Sequence, residues 1–203
     1  MQRSTVYLQR ISDGEMVEAE LCDEITEDQM VQWDTLWVPR MVEAVQRNIR
    51  RQLPREKWPE DLHWNWQNKI ARRRELLGTR GLSLMCNKEL QGLMIVDLTK
   101  GAKLPNQRGK PIVYIEYLAT APWNRSQIVE QPVYCGVGRA MVLAAIKLSR
   151  SEEFRGRIGL HSLPQSEKFY LSKCGMTPVG KDPSKEQLLY FEMTEEQATQ
   201  FER

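Results

Sequence analysis

The spacing of apolar residues changes period along this chain. Two short β-prone runs, residues 5–11 and 16–21, flank Ser12-Asp13-Gly14 and predict a hairpin. Thr26, followed three residues later by Gln29, is a capping-box signature, so a helix should begin there. Met30, Trp33, Trp37, Met41, Ala44 and Val45 then recur at helical spacing. Pro39 falls inside that stripe and is expected to kink or split the helix. After a break at residues 54–59, a second helix is predicted over about 60–77, with Leu62, Trp66, Ile70 and Leu77 on one stripe and Gly78 as terminator.

Beyond Gly78 the period shortens. Residues 82–86, 90–98 and 112–120 read as three strands, the last two joined by a polar loop over 100–109. Val137, Ala140, Met141, Ala144, Ala145 and Leu148 then form one apolar face, predicting a helix over 136–150. A strand at 158–162, a helix at 166–174 stopped by Gly175, and a strand at 188–193 follow. Thr194 with Gln197 is a second capping box, opening a short terminal helix that carries Phe201. The order implies an α/β fold with a mixed sheet. With no internal repeat and no low-complexity linker, one domain over 1–203 is expected, an N-terminal strand-and-helix part at 1–80 and a core at 81–203.

Composition narrows the class. Of 203 residues 41% are apolar and 28% charged, as in ordinary globular chains. The net charge of +2 gives no global pull toward nucleic acid. No apolar stretch reaches the roughly 20 residues that span a bilayer, and residues 1–10 lack a signal-peptide core. Cys22, Cys86, Cys135 and Cys174 are scattered with no CxxC pair, so neither a metal site nor a disulfide framework is expected, and a cytoplasmic location is.

The strongest local chemistry is Tyr134-Cys135-Gly136-Val137-Gly138-Arg139-Ala140, which opens the amphipathic helix. A glycine-rich turn at a helix start presents backbone N–H groups and the positive end of the helix dipole, a recipe for binding phosphate or pyrophosphate. A tight turn alone is the competing reading. No Lys-Ser/Thr follows the glycines and no third glycine stands at dinucleotide-fold spacing, which excludes a Walker A loop and a Rossmann fingerprint.

The run Tyr114-Ile115-Glu116-Tyr117-Leu118-Ala119-Thr120-Ala121-Pro122-Trp123-Asn124-Arg125, then Gly136-Val137-Gly138-Arg139, resembles the cofactor core of GNAT acyltransferases. Phe169-Tyr170-Leu171-Ser172-Lys173-Cys174-Gly175-Met176 resembles their tyrosine-bearing fourth helix. The resemblance covers about residues 82–193. It departs from the family at Val133, where Gln or Arg is usual, at Leu163, where Asn is usual, and in an insertion at 126–134. It implies a mostly antiparallel mixed sheet flanked by helices. It also implies transfer of an acetyl group from acetyl-CoA, with no metal, to a primary amine of a small molecule or peptide.

On that resemblance Leu118, Ala119 and Thr120 would bind the thioester and pantetheine. Val133, Cys135, Gly136, Val137, Gly138, Arg139 and Ala140 would hold the pyrophosphate. Glu116, a carboxylate inside an apolar strand and costly unless paired, is the candidate base. The competing reading is a Glu on a wet face or paired with Arg. Tyr170 is the candidate acid, against a core aromatic. His161, at a strand end, could relay a proton, but a satisfied structural histidine is favoured; His63 reads as structural. Arg47, Arg50, Arg51 and Arg72-Arg73-Arg74 read as solvated helix faces rather than an RNA surface, and a homodimer stays open. A non-catalytic acyl-CoA-binding module and acetylation of charged tRNA are the alternative functions. Acceptor specificity is expected in the N-terminal helices, at Trp64 above all, and in the 126–134 insertion acting as a lid.

Overall fold

The Thr26 capping box forms. Thr26 Oγ1 accepts the Gln29 N–H at 3.3 Å and Gln29 Oε1 accepts the Thr26 N–H at 2.9 Å, so α1 (Glu27–Gln32) begins there. The computed structural model describes residues 3–73 and 75–203; Arg74 of the arginine run, with Met1 and Gln2, lies outside the described residues.

Pro39 splits the first long helix as expected, through a π-helical turn. Residues Trp33–Trp37 wind as a π segment, in which the Val38 N–H reaches back to Trp33 O, and α2 (Val38–Arg50) follows with Pro39 in its first turn. Proline cannot donate to the carbonyl four residues back, and its ring crowds that carbonyl. The wider turn absorbs the conflict, and both Trp33 and Trp37 stay buried.

The second predicted helix is a correction. The described residues of 60–77 hold a 3₁₀ turn at Glu60–His63, an extended Trp64 and a helix of six residues, α3 (Trp66–Ala71). Asn65 explains the break, because its side chain caps α3 by accepting the Asn68 N–H at 2.8 Å. The stripe drawn through Leu62 and Leu77 therefore crosses non-helical backbone, and Leu77 is 94% exposed. Gly78 ends no helix; its carbonyl accepts the Leu98 N–H at the entry to a strand.

Among the described residues nine strands form one sheet. They are β1 (Arg3–Arg10), β2 (Met16–Cys22), β3 (Thr79–Cys86), β4 (Glu89–Asp97), β5 (Val113–Thr120), β6 (Tyr134–Cys135), β7 (Ile158–Ser162), β8 (Thr177–Asp182) and β9 (Leu188–Met193). The spatial order is β6–β1–β2–β3–β4–β5–β7–β9–β8. The pairs β1/β2, β1/β6, β2/β3, β7/β9 and β8/β9 are antiparallel, and β5/β7 is parallel. This is the expected mixed, mostly antiparallel sheet with flanking helices. Two strands escaped the sequence: β6 has two residues, and β8 carries Pro178 and Gly180, which weaken any strand signal and lie at a register irregularity. Among the described residues no helix is long and apolar enough to cross a membrane.

The chain divides into two compact units that do not follow the 80/81 boundary. The first holds residues 1–75, 81–93 and 119–140. Its core centres on Leu8, Trp37, Trp66, Leu84 and Leu90, all nearly inaccessible. Trp37 meets Trp123 edge to face at 6.3 Å and donates its Nε1–H to Leu90 O at 3.2 Å. Trp37→Ala should therefore lower stability by about 3–5 kcal/mol, read as a fall in the midpoint of denaturant unfolding. A loss under about 1 kcal/mol would contradict this packing.

The second unit holds residues 76–80, 94–118 and 141–203. It contains most of α4 (Val137–Ser151), all of α5 (Glu167–Ser172) and α6 (Glu195–Phe201), and the strands β7 to β9. Its buried Glu192 accepts the backbone N–H groups of Lys103 and Leu104 and the Gln107 side chain, which fixes the 100–109 loop. Gly159 has no room for a side chain, since a Cβ there would lie 2.6 Å from the Tyr190 hydroxyl.

Candidate active site

The glycine turn is built in the first unit. Tyr134 and Cys135 pair with Arg10 and Gln9 of β1, and the Tyr134 N–H is held by Asn124 Oδ1 at 3.0 Å while its hydroxyl accepts from Asn87. Gly136 then turns at φ +93°, a left-handed conformation that other residues adopt only at a cost. Its carbonyl accepts the Ala140 N–H at 2.8 Å, the first bond of α4. The N–H groups of Val137 and Gly138 precede that bond and have no acceptor within the helix. The α4 helix is 15 residues long, so its dipole end falls on this turn. Val137 and Ala140 are buried, Gly138 half-buried, and Gly136, Cys135 and Arg139 exposed.

The end of β5 lies in the same unit. Ala119 is buried and Thr120 half-buried, and Thr120 O accepts Arg125 Nε–H at 2.7 Å. Arg125 also grips Asp61 with two bonds of 2.8 Å, a partly buried bidentate ion pair. Gln91, fully buried, fixes the turn beyond β5. Its carbonyl accepts the Ala121 N–H, and its Oε1 accepts from Trp123 Nε1 at 2.9 Å and Asn124 Nδ2 at 2.8 Å.

The 126–134 insertion is packed down on α2. Ile128 is buried with Met41 and Ala44, and its carbonyl accepts the Arg47 guanidinium. Val133 uses both backbone groups, donating to Trp123 O and accepting from Ile11 N, which leaves only its side chain for a ligand. Beside these residues a cavity of about 90 Å³ is lined by Trp33, Trp37, Trp64, Trp66, Asp61 and Arg125, among others. Lys69 Nζ sits 5.1 Å from the centre of the Trp64 ring, so one face of that indole already holds a cation.

In the second unit, Glu116 and Leu118 are half-buried on β5. Tyr170 is buried on α5, with Phe169 at 5.2 Å and Phe191 at 6.1 Å. Gly175, at φ +66°, ends the helix, and the Met176 N–H returns to Tyr170 O. Burial pushes the Tyr170 hydroxyl well above the ordinary tyrosine range, so it keeps its proton at neutral pH.

His161 is satisfied on both nitrogens, as favoured from the sequence. Its Nδ1 lies 2.7 Å from the Tyr114 hydroxyl and its Nε2 3.1 Å from Asp182 Oδ2. The ring stacks against Tyr190 at 4.7 Å. Asp182 also takes Lys103 Nζ at 2.9 Å and the Ser184 N–H and hydroxyl, which hold its carboxyl far below the usual range. Burial pulls His161 below the ordinary histidine value, against the opposing pull of Asp182.

No family profile matches the chain, and no curated protein matches it. Solved structures do. PaiA N-acetyltransferase from Thermoplasma acidophilum, in complex with coenzyme A, superimposes with a TM-score of 0.52 at 13% identity over 87% of this chain and 98% of that one. An inferred GNAT-family acetyltransferase from Desulfovibrio desulfuricans gives 0.54 at 11% identity over 86% and 98%. A transcriptional regulator from Bacillus halodurans gives 0.50 at 16% over 81% and 96%. The chain has the GNAT fold.

Within the GNAT fold, the residues expected from the sequence fall into two groups. Ala119, Thr120, Val133, Cys135, Gly136, Val137, Gly138, Arg139 and Ala140 belong to one unit; Glu116, Leu118 and Tyr170 belong to the other. Asp61, Gln91, Tyr114 and Asp182 were not singled out in the sequence. Each joins its partner over 21 to 64 positions, so no local spacing reveals them. Tyr114 alone lay inside a motif, without a role. Arg47 and Arg73 donate to backbone carbonyls of Ile128 and Lys69, so part of the basic cluster is used inside the fold.

Proposed function

We propose that residues 1–203 act as one acyl-CoA-dependent N-acetyltransferase domain in the cytoplasm. It would move an acetyl group from acetyl-CoA to a primary amine of a small molecule or peptide. The observation that carries this reading is the Gly136–Ala140 turn at the start of a 15-residue helix in a GNAT fold. First-turn N–H groups with no acceptor inside the helix, together with a helix dipole, suit the CoA pyrophosphate. The four cysteines, none in a disulfide, suit a reducing compartment.

In this reading the amine attacks the thioester carbonyl, the tetrahedral oxyanion collapses, and CoA leaves as a thiol. Two protons leave the nitrogen in the course of the reaction. The CoA sulfur gains one proton from the Tyr170 hydroxyl, which is restored by one of the two nitrogen protons, and Glu116 takes the other to solvent. An amine with a pKa near about 10.4 is mostly protonated at neutral pH, so a base is needed before attack.

The acceptor would approach through the indole-lined cavity of the first unit. Trp64→Ala is then expected to raise the acceptor KM by about tenfold, the size of a lost cation–π or aromatic contact, with the acetyl-CoA KM unchanged. Equal changes in both constants would reduce Trp64 to packing. The packed insertion speaks for a fixed wall and not a moving lid.

The test of the whole reading is mass-spectrometric. Purified protein, acetyl-CoA and a panel of amino acids, polyamines, small amines and peptides should give at least one acetylated product that scales with enzyme. CoA binding without acetylation of any amine would favour the non-catalytic acyl-CoA-binding alternative.

A further inference from the structure

The second unit holds a line of titratable side chains that substrate contact does not explain. Alternation along β5 puts Tyr114 and Glu116 on the same face of the sheet. The parallel pairing of β5 with β7 runs Val113↔Ile158, Tyr114↔Gly159 and Ile115↔Leu160. Continuing that register by one residue sets Glu116 beside His161. From there the contacts lead outward: Tyr114 Oη to His161 Nδ1 at 2.7 Å, His161 Nε2 to Asp182 Oδ2 at 3.1 Å, Asp182 Oδ2 to Lys103 Nζ at 2.9 Å. His161 has a side chain 7% exposed, whereas that of Asp182 is 17% and that of Lys103 52% exposed, so the line runs from the buried sheet face to the surface.

The geometry fixes the proton positions. Asp182 is ionised, held by Lys103 and two bonds from Ser184, so it only accepts. His161 Nε2 must then carry the hydrogen. In the neutral ring Nδ1 is an acceptor, and the Tyr114 hydroxyl donates to it. The Tyr114 oxygen keeps lone pairs for another donor. The Glu116 charge, after burial, is what most raises Tyr114 toward its protonated form, which places the two groups in each other's field. The arrangement is that of a hydroxyl, an imidazole and an orienting carboxylate.

We propose that Tyr114, His161 and Asp182 form a relay that carries away the proton Glu116 takes from the acceptor amine. The proposal rests on the transferase reading. Glu116, protonated by the acceptor ammonium, passes its proton by way of an intervening water to Tyr114 Oη, its neighbour on the same face of β5. Tyr114 releases its own proton to His161 Nδ1. The imidazolium so formed lies against the Asp182 carboxylate and loses its Nε2 proton to water at the surface. Only O–H and N–H bonds form and break. Glu116 and Tyr114 regain their starting protonation, while His161 is left as the Nδ1–H tautomer. It recovers its Nε2–H form by taking a proton from water on Nε2 and releasing the Nδ1 proton before the next turnover. Asp182 orients the ring and stabilises the imidazolium without being protonated. Burial and the cations Lys103 and Lys185 keep His161 neutral at rest, while Tyr190 packs its ring and Glu192 neighbours Tyr190 on β9. A resting neutral histidine is what a relay needs in order to discharge.

The proposal is tested on the full chain in a His63→Gln background, which leaves His161 as the one histidine. Nitrogen-15 NMR should find the Nε2–H tautomer and a titration midpoint below about 6.5. Adding Glu116→Gln should lower that midpoint further, by about half a pH unit or more, because a nearby negative charge is lost. With any amine that turns over, His161→Gln should lower kcat by about tenfold or more. It should also flatten the ascending limb of the kcat–pH profile and leave the acetyl-CoA KM unchanged. Tyr114→Phe, which keeps the ring volume, should do the same. A midpoint indifferent to Glu116→Gln, or variants that lose thermal stability while keeping rate and profile, would overturn the relay and leave a structural histidine. Failure of every amine to be acetylated overturns the transferase reading instead, and the NMR result is read independently of it.

Discussion

Gly138→Glu is expected to weaken acetyl-CoA binding by about 100-fold or more while the chain still folds. Gly138 is half-buried in the first turn of α4, where the helix dipole and the local N–H groups favour negative charge. A glutamate in the first turn of a free helix is mildly stabilising for the same reason, so folding should survive. With a diphosphate in place the sign reverses: a third negative group competes for the same donors, and its side chain fills the space the backbone leaves. Calorimetry on the folded variant reads the result. Unchanged affinity would move the cofactor away from this turn. Gly136 offers a complementary case, because a Cβ there meets nothing within 4 Å but the backbone sits at φ +93°. Gly136→Ala should therefore act through strain on the turn rather than by blocking it.

Tyr170→Phe should lower kcat by about 100- to 10,000-fold, the usual weight of a general acid, with acetyl-CoA affinity changed by less than about threefold. The ring is already fixed by Phe169 and Phe191, so removing the hydroxyl leaves the packing in place. Burial holds that hydroxyl in its protonated form, and the rate loss should be present across the neutral range rather than appear at one pH. Stopped-flow single-turnover measurement isolates the chemical step. A variant with the wild-type single-turnover rate would make Tyr170 a core aromatic and nothing more.

How much of this was legible beforehand depended on how local the cause was. Both capping boxes were, because Thr26 with Gln29 and Thr194 with Gln197 satisfy each other within one turn. The α4 helix, β7 and β9 were, because burial on a sheet face or helix stripe leaves a period in the sequence. The hairpin and the split at Pro39 were also local, although the π turn that accommodates the split was not readable from spacing alone. The 60–77 segment failed because Asn65 competes for backbone hydrogen bonds, and a capping residue inside an apolar stripe is easily passed over. The strand β8 failed because an exposed edge carrying Pro178 and Gly180 gives no alternation to find.

The candidate site divides along the same line. The glycine turn and the β5 run sit in contiguous motifs. Gln91, which ties Trp123 and Asn124, and Asp61, which pairs with Arg125, act only through contacts made on folding. Asp182 is the sharpest case, since two of its partners, His161 and Lys103, come from another strand and from a distant loop. Glu116 was singled out because a carboxylate in an apolar strand is conspicuous. Tyr114, two residues earlier, was not, because a tyrosine in a strand is ordinary until its hydroxyl is seen against a histidine.

The central claim is that CoA is held at the start of α4. Amide NMR of the full chain, titrated with CoA, tests it most directly. The account predicts that the N–H signals of Gly136, Val137 and Gly138 shift and saturate together, at a concentration matching the calorimetric Kd. It predicts too that this shift vanishes in Gly138→Glu. Saturable CoA binding that leaves these three amides unmoved, or no binding at all, would contradict it.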